Sequence, residues 1–168
     1  GVGNYFIPAA VDALASRGEF VTAYTPYQPE CSQGTLEVIF EFQSDVCRLT
    51  GLEVSNAGLY DGSTALVEAA MMALGETARG EILISRTVAP AYREVLVTHL
   101  AGRSVRIREI DYDPATGETR QPEARTDTAA VVIQSPNVFG VVESGIADAF
   151  SVARTNGAVP VQIFHPLA

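Results

Sequence analysis

Short apolar runs constrain this fold more than any other feature of the chain. Residues 81–85 (EILIS), 129–134 (AAVVIQ) and 159–164 (VPVQIF) are short, apolar and rich in β-branched side chains. The first two read as strands of a parallel sheet, buried on both faces, and the third as a last strand. Residues 104–110 alternate Val105, Ile107 and Ile110 imperfectly with arginines and read as a further strand. Helical patterns over 65–74, 92–100 and 144–156 separate these runs. A repeated strand–loop–helix order predicts an α/β fold with a mostly parallel sheet flanked by helices on both faces. Ligand sites in such folds lie beyond the carboxyl ends of the strands. That places residues 86–90, 135–140 and 165–168 around any pocket.

Ahead of this region two more helices are expected. Pro8 suits the first turn of a helix over 8–15, with Ile7, Val11 and Leu14 as its apolar stripe and Arg17-Gly18 as its stop. Leu36, Ile39, Phe40 and Val46 recur at helical spacing over 35–49, and Gly51 ends that helix. Its apolar face, widened by Phe42 and Cys47, is expected to pack against the body of the fold. Two regions follow: 1–50, a helical segment with an interface loop, and 51–168, part of an α/β domain. Neither end carries a clear start or stop signal, so the chain reads as an internal piece of a longer subunit.

Bulk properties narrow the partners. At 168 residues, 47% hydrophobic and 18% charged, the chain is one domain's worth with a sizeable core. No apolar run reaches a membrane span, and no secretory signal is visible. A net charge of −9 argues against nucleic acid. Cys31 and Cys47 lack metal spacing and read as free, buried thiols.

The stretch between the first two long helices, 23–34 (AYTPYQPECSQG), is polar, aromatic and proline-rich. Pro26 and Pro29 each fix φ, remove a donor and push Thr25 and Gln28 towards extended geometry. A stiff extended loop results, presenting Tyr24, Thr25, Tyr27, Gln28, Glu30, Ser32 and Gln33 together. A surface linker is the simpler reading, but linkers are seldom so rich in tyrosine. Further on, Asp61-Gly62-Ser63-Thr64 leads straight into a helix. Backbone N–H groups and hydroxyls at such a turn make a ready anion site; the plain alternative is an N-cap by Asp61 or Ser63.

The run Tyr24-Thr25-Pro26-Tyr27-Gln28-Pro29-Glu30, then Ser32-Gln33-Gly34, closely resembles a signature of the glycine-cleavage P-protein family. These are pyridoxal-phosphate (PLP) glycine decarboxylases, also called glycine dehydrogenase (decarboxylating), and the likeness fits best to subunit 1 of the two-subunit form. It continues through Ile39-Phe40-Glu41-Phe42-Gln43, Tyr60-Asp61-Gly62-Ser63-Thr64-Ala65 and Gln134-Ser135-Pro136-Asn137-Val138-Phe139-Gly140. The resemblance implies the large domain of a fold type I PLP enzyme, and an oxidoreductase complex of prokaryotic cytoplasm. Its implied partners are glycine, glycine dehydrogenase subunit 2 and the lipoyl H-protein.

PLP enzymes hold the cofactor as a Schiff base with a lysine. All eleven basic residues here are arginine. The resemblance places that lysine on subunit 2. It also implies that the 61–64 turn matches a cofactor-phosphate cradle and that Asn137 matches a residue near the cofactor. Ala89 stands where relatives place a stacking histidine, and Phe164-His165-Pro166 supplies no acid for the pyridinium. The chain therefore reads as the non-lysine partner, inactive alone. Tyr24, Thr25, Tyr27, Gln28, Glu30, Ser32 and Gln33 would complete the companion's PLP–glycine pocket. A catalytically inactive scaffold subunit is the alternative, and another fold type I enzyme a weaker one.

Overall fold

A computed structural model describes residues 4–166. The contacts within the chain group these residues into two units, dividing between Ala57 and Gly58. The expectation for 165–168 is therefore met by a description only as far as Pro166, and residues 1–3 also lie outside the described residues.

The second unit is the α/β body. Helix α4 (Gly62–Thr77) leads to β1 (Glu81–Ser85), α5 (Pro90–Leu100), β2 (Arg106–Ile110), β3 (Thr128–Gln134), α6 (Ile146–Thr155) and β4 (Val159–Ile163). The four strands form one sheet in the order β2-β1-β3-β4, and every pairing is parallel. The parallel sheet expected from the apolar runs is thus present. Strand periodicity sorts the core into two layers. Ile82, Ile84, Ala130 and Val132 pack with Leu66, Ala70, Leu96 and Leu100 of α4 and α5. Leu83, Val131 and Ile133 point the other way, onto Ala149, Phe150 and Ala153 of α6. Helices therefore cover both faces.

The amino ends of three strands are clamped by one carboxylate. Glu81 is fully buried. It accepts hydrogen bonds from Arg106 Nε of β2 (2.9 Å), Arg108 Nη2 of β2 (3.1 Å) and Thr128 Oγ1 of β3 (2.8 Å). Burial pushes its pKa up, but the Arg108, Thr128 and Arg106 hydrogen bonds outweigh this and hold it at about 2.

The first unit contains α1 (Ala9–Ala15), the single turn α2 (Gly18–Val21) and α3 (Gln33–Thr50). Gly51 ends α3 with φ 72°, a left-handed cap that a side chain would strain. The periodicity of α3 is as expected, but its burial is not. None of its residues is buried, and Phe40, Phe42 and Leu49 are exposed. Among the described residues the first unit contains no buried side chain. The thiols also depart from expectation: both are free, but Cys31 is exposed and Cys47 only half-buried.

Candidate functional site

The 23–32 segment joins α2 to α3, and turns as well as prolines brace it. Tyr27 N–H donates to Thr25 O (2.8 Å), and Cys31 N–H donates to Gln28 O (3.0 Å). The loop is thus bent at two places rather than extended throughout. The bends throw the side chains outward: Tyr24 is 88% and Tyr27 83% exposed. Thr25, Gln28, Glu30 and Gln33 are also exposed, and Ser32 is half-buried. Among the described residues, none of these seven side chains makes a hydrogen bond or ion pair within the chain. Such a surface holds its polar and aromatic groups uncommitted.

In the second unit, the Asp61–Thr64 turn caps α4. Asp61 Oδ1 accepts from Thr64 N–H (2.7 Å), Ser63 Oγ (2.8 Å) and Thr64 Oγ1 (2.9 Å). Asp61 N–H in turn donates to Thr64 Oγ1 (3.1 Å), completing a capping box. These hydrogen bonds, the Thr64 N–H first, hold the Asp61 carboxyl below the usual range. Thr64 N–H and both hydroxyls of the turn are thus committed to the chain's own carboxylate. Gly62 lies against Tyr92 of α5, where a Cβ would stand 2.3 Å from Oη. Tyr92 sits in the first turn of α5, just past the carboxyl end of β1. The turn therefore sits at the carboxyl end of the sheet.

Asn137 lies in the loop leaving β3 and is only 4% exposed. Its side chain is fully committed. Nδ2 donates to Gly117 O (2.8 Å) and Glu143 Oε1 (2.9 Å), and Oδ1 accepts from Phe139 N–H (3.0 Å) and Val141 N–H (3.2 Å). It shapes its loop and has no capacity left for a ligand. The stacking slot behaves similarly. Ala89 offers only a methyl, and its N–H donates to Gln134 Oε1 (2.9 Å).

Sequence reasoning passed over Glu143. It is 4% exposed and is a hub at the carboxyl end of the sheet. Oε1 accepts from Thr119 Oγ1 (2.7 Å), Asn137 Nδ2 (2.9 Å) and Thr87 Oγ1 (3.1 Å), while Oε2 accepts from Thr119 N–H (2.8 Å). The Glu143 N–H donates to Ser135 Oγ (3.1 Å). Ser85 Oγ closes the cluster, 2.8 Å from both threonine hydroxyls. One acid after Val141-Val142 in a loop is the sole hint in the sequence, and nothing local says it is buried. In the same loop as Asn137, Phe139 packs on Tyr112 with ring centroids 5.2 Å apart, and Arg86 lies over the Tyr112 ring.

Among the described residues no group of histidine, cysteine, aspartate and glutamate side chains is placed to hold a metal ion. No helix there is long and apolar enough to cross a membrane.

The sequence and the fold both have relatives. The chain is 50% identical, over 98% of its length, to the probable glycine dehydrogenase (decarboxylating) subunit 1 of Solibacter usitatus, and spans 37% of that protein. It is 51% identical to the protein of the same description from Geotalea uraniireducens, over all of this chain and 38% of the relative. The chain thus spans under two-fifths of the length of these relatives. Among solved structures, the glycine decarboxylase (P-protein) of the glycine cleavage system, in inhibitor-bound form, superposes with a TM-score of 0.93 at 43% identity. That match covers 99% of this chain and 38% of the other. An aminotransferase from Neisseria meningitidis shares the fold alone, with a TM-score of 0.57 at 15% identity over 95% of this chain and 42% of its own. The profile of the glycine cleavage system P-protein family matches residues 1–168, and the chain belongs to that family.

Proposed function

We propose that this chain is part of the glycine decarboxylase subunit that does not carry the Schiff-base lysine. In this reading its 24–33 loop completes the PLP–glycine pocket of a companion, glycine dehydrogenase subunit 2. One observation carries the proposal. The loop is braced by two prolines and two turn hydrogen bonds, yet among the described residues seven of its polar side chains have no hydrogen-bond or ion-pair partner within the chain. Rigid, uncommitted donors and aromatic faces lose little entropy when they meet a ligand. Tyr24, Thr25, Tyr27 and Gln28 would line the pocket and exclude water, and Glu30, Ser32 and Gln33 would orient what binds. Residues 1–50 then act as the interface segment, and 51–168 as part of the large domain.

The residues present do not fit PLP as this chain's own cofactor. Asp61 takes up Thr64 N–H and both hydroxyls of the phosphate-like turn, Ala89 cannot stack on a ring, and the sequence holds no lysine. PLP would be held by the companion's lysine, where it supplies an electron sink for glycine decarboxylation. The assembled enzyme would pass the aminomethyl group to the lipoyl arm of the H-protein, in the cytoplasm. A structural scaffold is the second reading, and the self-capped 61–64 turn favours it.

Glycine–bicarbonate carboxyl exchange separates the two. The assay combines the lysine-bearing subunit, PLP and H-protein, with and without the full-length subunit that contains this chain. Exchange is expected to require this subunit. Tyr27→Ala with Gln28→Ala is expected to lower exchange at least about tenfold, as when a preorganised contact to a reacting group is lost. Undiminished exchange in the double variant leaves the scaffold reading standing and removes the loop from the pocket.

A further inference from the structure

The geometry points to Glu143 as a positioning residue that locks three strand-end loops at the carboxyl end of the sheet. This role rests on the reading of the chain as a decarboxylase subunit only for its effect on turnover; the lock itself is read from geometry.

The three loops approach Glu143 from different parts of the sequence. Thr87 belongs to the exit from β1, Thr119 to the turn-rich excursion between β2 and β3, and Asn137 to the exit from β3. Each gives Glu143 a hydrogen bond, and Thr119 gives two. Every side-chain contact uses a Glu143 oxygen as acceptor. Two of the donors, Thr119 N–H and Asn137 Nδ2, cannot reverse direction. Asn137 cannot flip its amide either, because Oδ1 already accepts Phe139 N–H and Val141 N–H. The site therefore specifies a group with two acceptor oxygens, not merely a side chain of that volume. Burying such a group to hold surface loops is costly unless every bond is made. Here all are made, and among the described residues no buried side-chain polar atom lacks a partner.

What the lock holds in place is the Val138–Val142 segment with its exposed apolar side chains, at the end of the sheet where α/β folds place their ligand sites. Glutamine tests the idea, because it matches glutamate in size but must turn an N–H against either Thr119 N–H or Asn137 Nδ2. If Glu143 only fills space, glutamine is harmless.

The experiment uses the full-length subunit assembled with its companion and PLP. Amide hydrogen exchange and glycine kinetics are measured for Glu143→Gln and Glu143→Asp. In E143Q, exchange at 117–119 and 137–141 is expected to rise about tenfold or more, with β1 and β3 unchanged. Aspartate keeps both acceptors on a shorter arm and is expected to restore part of the protection. The KM for glycine is expected to rise more than kcat falls, since the loops position rather than react. Unchanged exchange in E143Q overturns the lock. An equal rise through β1 and β3 makes Glu143 a general stabiliser and overturns the positioning role. Local release of the loops with unaltered kinetics leaves the lock intact and overturns its part in turnover. A wild-type assembly whose turnover does not need this subunit counts against the proposed function instead, and leaves the exchange result to decide the lock.

Discussion

Gly62 shows how much rests on a single missing methyl group. The residue would pass in sequence as one more flexible turn glycine. Its backbone needs no left-handed geometry; Tyr92 Oη stands where its side chain would begin, at 2.3 Å, and Cζ at 3.0 Å. A Cβ there would force the half-buried Tyr92 ring to shift. Gly62→Ala is expected to destabilise the chain by about 1–3 kcal/mol, an overpacking cost. Adding Tyr92→Phe removes the nearest atom and should recover part of that loss. Urea unfolding of the two single variants and the double variant checks this, and strictly additive losses would show that the contact is not the cause. Asp61 and Asn137 make the same point for the site. The sequence marked both positions, but their hydrogen bonds turn inward, to a helix cap and a loop. For Asp61 the partners are local, Ser63 and Thr64; for Asn137 they include Gly117, 20 residues away.

Elements are held together by core contacts and by charge, and the two respond to different perturbations. Leu96 is fully buried where α5 meets the sheet. Leu96→Ala is expected to cost about 2–5 kcal/mol, measured as a shift in urea midpoint at constant slope. At the other end of the same sheet Glu81 ties β1 to β2 and β3. Its folded pKa of about 2 lies below the ordinary 4.5. A depressed carboxylate pKa contributes stability above the ordinary value, and that stability is lost as pH falls through the window from 4.5 to about 2. Glu81→Gln should therefore flatten the acid limb of a Tm–pH curve in that window. Parallel curves for wild type and variant would mean that the clamp carries no linkage. Element type was legible throughout the second unit, since strand and helix periods differ and the runs are long enough to show it. The boundaries moved by a few residues, as at α4, which begins at Gly62 because its capping box starts there.

At the scale of the whole molecule the two units differ in kind. The second has two apolar layers around a parallel sheet. The first has helices without a buried residue. In the 168-residue chain, amides of residues 4–57 are expected to exchange orders of magnitude faster than those of β1 and β3, and limited proteolysis should cut there first. Equal protection of both parts would overturn that expectation. Leu36, Ile39, Phe40 and Val46 give α3 its helical periodicity, yet periodicity alone does not say what covers that face, and Phe40 is exposed.

By itself the sequence determined the α/β class, the position and type of most elements, the ordered family motifs and the proline-bearing connection between α2 and α3. These follow from local properties: side-chain period, φ restriction by proline and residue identity within a few positions. Only the tertiary structure decided the rest. It placed Glu143 among donors from three loops, the farthest of them, Thr87, 56 residues away in sequence. It buried Glu81 between arginines and set Tyr92 against Gly62. Burial and hydrogen-bond partnership depend on which distant segments share a sheet edge, and no local pattern carries that information.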